Sequence, residues 1–263
     1  MYRTFLFVPP ESSYRLKKEV ESLLRKAIIL IVAIFLLPAT VGQAQIKIHY
    51  AKTVDEAHRQ YVVNSIETVQ QYFRAALGND VDTAAIYVVS ARKEIAKLPI
   101  NQFLYGKDLL RNSDLGGVCY QNTNIMIVII PNTYTYQETL MLVAHELTHR
   151  LQDELTQGYG PNNTVMIEGT AQYVAYKLAG YQPQIDMAEL ETIAVEPLLS
   201  KDNIARYSYI KLYNRAWWEI QKLSRSKSDY EIFQYFNVMN AGPSYPPVQL
   251  EMGVNRVAVR GKD

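Results

Sequence analysis

Cysteine is all but missing from this chain: Cys119 is the only one in 263 residues. No intrachain disulfide can form, so a buried apolar core has to carry the fold, and a chain of this length can bury one. Long apolar runs are missing as well. The longest, Ala27 to Leu37 (AIILIVAIFLL), falls well short of the ~20 residues that a membrane-spanning helix needs. Arg25 and Lys26 precede it and Gly42-Gln43-Ala44 follows, the layout of an export signal cleaved after Ala44. Retention of residues 1–44 as an N-terminal anchor is the alternative. No cysteine stands directly after the run, which argues against a lipoprotein anchor. A surplus of either charge is missing too, with 27 Lys and Arg against 26 Asp and Glu. Residues 1–44 carry six of the basic and three of the acidic residues, which leaves 21 against 23 in the remainder. That balance argues against nucleic-acid binding, which depends on a basic surface.

Histidine is scarce, yet two of the four fall in one short run, His145-Glu146-Leu147-Thr148-His149. The apolar stretch Leu140 to Ala144 leads into it, and Leu147 and Leu151 continue the stripe, so the run belongs to a buried helix. On a helix, positions i and i+4 stack on one face about 6 Å apart, which lets both imidazoles reach one Zn²⁺ at about 2.0–2.1 Å. Glu146 is one step round the helix. It is too close to complete the coordination and well placed to move a proton of an activated water. The alternative is a core helix with two histidines and a glutamate buried for structure. Without partners that burial is costly, and a metal removes the cost.

A catalytic zinc usually takes three protein ligands. A third histidine in the metzincin pattern is excluded, because Gln152 and Leu155 occupy the positions where that pattern has Gly and His. Asp153 lies too far along the helix from His145, at about 12 Å. Glu168 is the better candidate. Thr135 and Glu138 form a capping box that starts the motif helix, which runs to Leu155. Turn residues 156–162 follow, and a second helix runs from Asn163 to Ala179, stopped by Gly180. A short turn makes the two helices antiparallel, and rises of about 9 Å and 8 Å bring His149 and Glu168 level. Gly169 and Ala171 are small and allow a close helix approach.

His145-Glu146-x-x-His149, eighteen intervening residues, then Glu168-Gly169-Thr170-Ala171 resembles the gluzincin metallopeptidases, the thermolysin and zinc-aminopeptidase type of catalytic core. The match is specific over residues 135–179. The resemblance implies an α+β, zincin-like fold, with a mixed sheet and the motif helix in one lobe and a mainly helical second lobe. It implies one Zn²⁺ held by His145, His149 and Glu168, Glu146 as general base, and a peptide or protein as substrate. The aminopeptidase branch carries a Gly-x-Met-Glu-Asn stretch whose acid binds a free amine. The comparable stretch here, Gly116 to Asn122, has no acid, so endopeptidase action is expected over aminopeptidase action. A further oxyanion donor is expected from the helical lobe, with Tyr213 first and Tyr209 and Tyr207 behind it. Tyr213 with Ala216 and Leu223 is similar to a helix found after the third ligand in such enzymes.

The remaining expectations concern layout. Strands are read at Ile46–Tyr50 and Ala84–Ser90, with a hairpin over Val118–Pro131. A helix opened by a Thr53/Glu56 capping box runs to Leu77, and helices follow at Ile204–Ser224 and Asp229–Met239. The domain is expected to span 45–240, divided at 155/156 into a sheet lobe and a helical lobe, with an irregular tail at 241–263. The arm Gly117–Tyr120, or the facing one, is a candidate edge for an extended substrate. Gln172 is a candidate hydrogen-bond partner for a liganding histidine. Cys119 is read as a buried structural thiol. The expected location is secreted or periplasmic, with membrane contact only if residues 1–44 are retained. The competing readings are a non-catalytic zinc protein and a membrane-anchored scaffold of the same fold.

Overall fold

The computed structural model describes residues 45–98, 109–110, 115–120, 123–157, 163–195 and 197–239, all within the unit Ala44–Asp263. Segment 1–44, read as signal or anchor, lies outside these residues, as do the tail 241–263 and positions 158–162 of the turn after the motif helix. Among the described residues no helix is long and apolar enough to cross a membrane.

Strand β1 (Gln45–Tyr50) runs into helix α1 (Glu56–Leu77), which crosses back to β2 (Thr83–Val89). A helical crossover of this kind makes the two strands parallel. A 3-10 turn (Arg92–Lys97) comes next, then β3 (Gly117–Cys119) and β4 (Ile125–Ile129). The sheet order is β1-β2-β4-β3. β2 and β4 are parallel, and β3 pairs antiparallel with β4, as the hairpin reading requires. The observed class is α+β, a small mixed open sheet with mostly helices around it.

Alternate residues of the strands, among them Ile86, Val88, Met126 and Val128, face α1 and the motif helix α2 (Tyr136–Leu155) in the main core. On α1 the buried residues Val62, Ile66, Val69, Phe73 and Leu77 recur every three or four positions, one stripe toward the sheet. Gly78 ends the helix in the left-handed region at φ 71°. Its start differs from the expectation. Asp55 is the cap, accepting from the His58 N–H, while the Thr53 hydroxyl bonds Glu94 instead. Glu94 also accepts from the N–H groups of Ser90 and Ala91, so Thr53 is drawn away from α1 by a partner far off in sequence. His58 then ties the approach to the motif helix: one ring nitrogen lies 2.6 Å from Asp55 and the other 3.0 Å from the Tyr134 carbonyl.

Helix α2 begins at the Thr135–Glu138 capping box and is antiparallel to α3 (Thr164–Ala179), which Asn163 caps and Gly180 ends at φ 62°. Two short helices, α4 (Met187–Glu191) and α5 (Lys201–Arg206), lead to α6 (Tyr209–Leu223) and α7 (Asp229–Met239). The single helix expected over Ile204–Ser224 is two helices. Tyr207 is extended, and the Ser208 side chain accepts from the Lys211 N–H, which restarts the chain as α6. Gly169 does permit a close approach, and the partner is α6: a Cβ at this position would lie 2.6 Å from the Ala216 carbonyl oxygen. α3 therefore carries one face toward α2 and presses the adjoining one, about 100° round, on α6.

Candidate metal centre

One face of α2, with its C-cap Thr156, supplies the largest share of the site. Glu138, Met141, Leu142, His145, Glu146, His149, Gln152, Asp153 and Thr156 all line a single cavity of about 610 Å³. They recur at helical spacing because they share one side of the helix. Residues 115–119 from the β3 side, Ile167, Glu168 and Gln172 from α3, and Ile210 and Tyr213 from α6 complete the wall. Arg150 fixes where this face points. From the flank of this face it donates to the carbonyls of Thr83 and Thr123 at 2.8 and 3.2 Å, and it pairs with Asp153 and Glu154. The motif helix is thereby bolted to the starts of β2 and β4.

Three donor atoms meet in the cavity. His145 Nε2 and His149 Nε2 are 3.1 Å apart, and each is 3.4 Å from Glu168 Oε2. Ligands on a tetrahedral ion with bonds of about 2.0–2.1 Å are separated by roughly 3.3 Å, so this triangle matches one face of such a coordination shell. Glu168 Oε2 is buried and has no hydrogen-bond donor among the described residues. An oxygen in that position fits a metal ion better than it fits a finished hydrogen-bond network. The three residues can hold a metal ion. Asp153 is separate from the triangle and bound to Arg150 at 2.6 Å, as its position along the helix required.

The electrostatics follow from this crowding. Burial alone pushes Glu168 up, but the imidazoles of His149 and His145 more than offset it and hold the carboxyl below the ordinary carboxylate range. Burial pulls His149 down, and the Glu168 carboxylate outweighs that and pushes it up to about 9. Each group stabilises the other's charge, and a bound ion would take over the proton's place between them.

The partner that orients His149 is Gln152. His149 Nδ1 lies 2.9 Å from Gln152 Oε1, and Gln152 Nε2 donates to the Ile167 carbonyl at 3.0 Å. A carboxamide oxygen accepts, so Nδ1 carries the hydrogen and Nε2 is left for an ion. One side chain thus fixes His149 on α2 and the backbone next to Glu168 on α3. Gln172, read from the sequence for this role, lies in the cavity wall on α3 and lowers the pKa of the Tyr176 hydroxyl. The signal for Gln152 was its place three residues after His149, on the same face of the helix. Replacing Gln152 by Ala is expected to weaken metal binding by about 10–100-fold. A chelator-competition titration measures this, and unchanged affinity would show that His149 is held by something else.

Glu146 turns toward β3. A Cβ at Gly117 would lie 2.7 Å from its Oε1, so any larger residue there would displace the Glu146 side chain. Burial, the largest influence, raises the pKa of Glu146 against the lowering by the His145 and His149 imidazoles and the Cys119 N–H. Its Oε2 is buried with no hydrogen-bond partner among the described residues. Of the three tyrosines considered, Tyr213 lies nearest the centre, its ring 5.8 Å from that of His145. Burial first, then the charges of Glu168 and Glu146, push its hydroxyl well above the ordinary tyrosine range. Tyr209 packs behind Tyr213 at 6.1 Å and is not in the cavity wall; Tyr207 packs against the small cluster around Leu190 and Leu212. Cys119 is partly rather than fully buried, and burial together with Glu146 drives its thiol upward, away from the reactive thiolate.

No protein-family model matches the chain, and a search of the curated proteins finds no match.

Proposed function

We propose that this chain is a zinc-dependent peptidase of the gluzincin type, with an endopeptidase action. The observation that carries the reading is the triangle of His145, His149 and Glu168 with the unpartnered carboxylate oxygen of Glu146 in the same cavity. Two nitrogens and one carboxylate oxygen suit zinc, and three protein ligands rather than four are the pattern of a catalytic site.

Zinc in this position supplies Lewis acidity and lowers the pKa of water toward neutrality. Glu146 takes the proton of the attacking water and later hands it to the departing amine. Its burial raises its proton affinity, which brings the carboxylate closer to the range a general base needs at neutral pH. Tyr213 keeps its hydroxyl proton and can donate it in a hydrogen bond to the developing oxyanion. β3 lies at the edge of the sheet among the described residues. The Tyr120 N–H and Gly116 carbonyl bond to β4, so by strand alternation Gly117 and Cys119 direct their backbone groups outward. The Cys119 N–H lies toward Glu146, whose pKa it lowers, and the groups of Gly117 are offered to an extended substrate. The stretch 116–120 offers no acid for a free amine, in line with internal cleavage. The export-signal reading of segment 1–44 supports a secreted or periplasmic location, with membrane contact only if that segment is retained.

The test joins elemental analysis with cleavage of an unbiased peptide library. The expected result is about one zinc per chain and cleavage that chelation abolishes and zinc restores. A zinc-loaded protein that cuts no peptide would make the centre structural and overturn the reading.

A further inference from the structure

The cavity around the metal centre has a charge bias of its own. Its wall carries the carboxylates of Glu138, Glu146, Asp153 and Glu168, and no lysine or arginine among the described residues. Glu146 and Glu168 belong to the centre, and Asp153 is paired with Arg150. Glu138 is left, exposed in the first turn of α2. Thr135 engages only its Oε2, through the N–H at 2.7 Å and the hydroxyl at 2.9 Å, and nothing among the described residues bonds Oε1. The same bonds hold the carboxyl below its ordinary range, so it is ionised at neutral pH. They also place negative charge at the positive end of α2, which would otherwise disfavour a cation there.

Spacing along α2 supplies the other half. Met141 and Leu142 stand one turn beyond Glu138, and His145 one turn beyond them, all in the cavity wall. Seven residues of helix rise about 10 Å. A substrate carbonyl at the centre therefore leaves the length of one extended side chain between itself and Glu138. That side chain would lie along two apolar residues and end at a carboxylate. An aliphatic stem with a cationic head satisfies both parts. A leucine would use the apolar wall and leave Glu138 unanswered, and a glutamate would be repelled.

We propose that Glu138 is a specificity-determining residue that selects peptides with a lysine or arginine side chain beside the scissile bond. The proposal rests on the peptidase reading above. A free N-terminal ammonium offers the same charge, but it sits within a few ångströms of the first carbonyl, too near to span this distance.

The experiment uses the full zinc-loaded chain and peptides built on a site cleaved in the library, or on a fixed neutral sequence if none is cleaved. N-acetylated versions carry Lys, Leu or Glu beside the cut bond, and a fourth is the leucine peptide with a free amine. The lysine peptide is expected to exceed the leucine peptide in kcat/KM by about 3–10-fold, an advantage that shrinks in high salt. Glu138→Gln, which retains the capping box, should remove most of that advantage and leave the leucine peptide unchanged. Anisotropy titration of the same peptides against Glu146→Gln, with and without Glu138→Gln, reads the preference without turnover. Equal values for lysine and leucine, or a gain confined to the free-amine peptide, would overturn the proposal while cleavage itself upholds the peptidase. Binding that favours lysine with no cleavage of any peptide by the wild type would overturn the peptidase and uphold the selectivity of Glu138.

Discussion

Glu146→Gln is expected to keep its metal and lose its turnover. The amide matches the carboxylate in size, so the tight contact with Gly117 is preserved. What disappears is the ability to take a proton. General acid–base groups contribute about 10²–10⁴-fold, and a residue serving both as base and later as acid belongs at the upper end, so kcat should fall by roughly a thousandfold or more. Metal content by elemental analysis and kcat on the best library peptide decide the matter together. Retained turnover would remove Glu146 from the mechanism. Loss of the metal would make it part of the binding site.

Glu168→Gln is expected to do the reverse and empty the centre. Glu168 contributes the only negative charge of the three donors, and it is 3.4 Å from both imidazoles. A carboxamide oxygen in its place donates more weakly and brings no charge to neutralise an ion. The loss should exceed the 10–100-fold attached to an outer partner such as Gln152 and reach about a thousandfold, ~4 kcal/mol. The prediction is checked by metal titration followed by activity at saturating zinc. Full affinity in the variant would mean that Glu168 is an ion-pair partner of the histidines and no ligand. The two variants together separate the roles: one keeps metal without chemistry, the other loses chemistry because it loses metal.

The capping box at Thr135 and Glu138 was legible because a cap is written in residues three positions apart, and the same holds for Gly78 and Gly180 as helix stops. The cap of α1 was misassigned to Thr53, which has the right chemistry but is claimed by Glu94, 41 residues away. The break between α5 and α6 was missed because an apolar period crosses it, and the Ser208 cap wins locally. Gln152 and Gln172 offered the same side chain for one role. The choice fell to Gln152, because it shares a helix with His149 and reaches the Ile167 carbonyl across the helix pair.

From the sequence alone came the two histidines one turn apart, the glutamate between them, and the pairing of two antiparallel helices that brings Glu168 level with His149. These are consequences of helical period and turn length, which are local. Tertiary structure alone decided how close the donors come, that Gly117 makes room for Glu146, that Gly169 opens α3 to α6 rather than to α2, and which tyrosine enters the cavity. Those outcomes depend on packing between segments distant along the chain, where a single neighbouring atom settles whether a side chain fits.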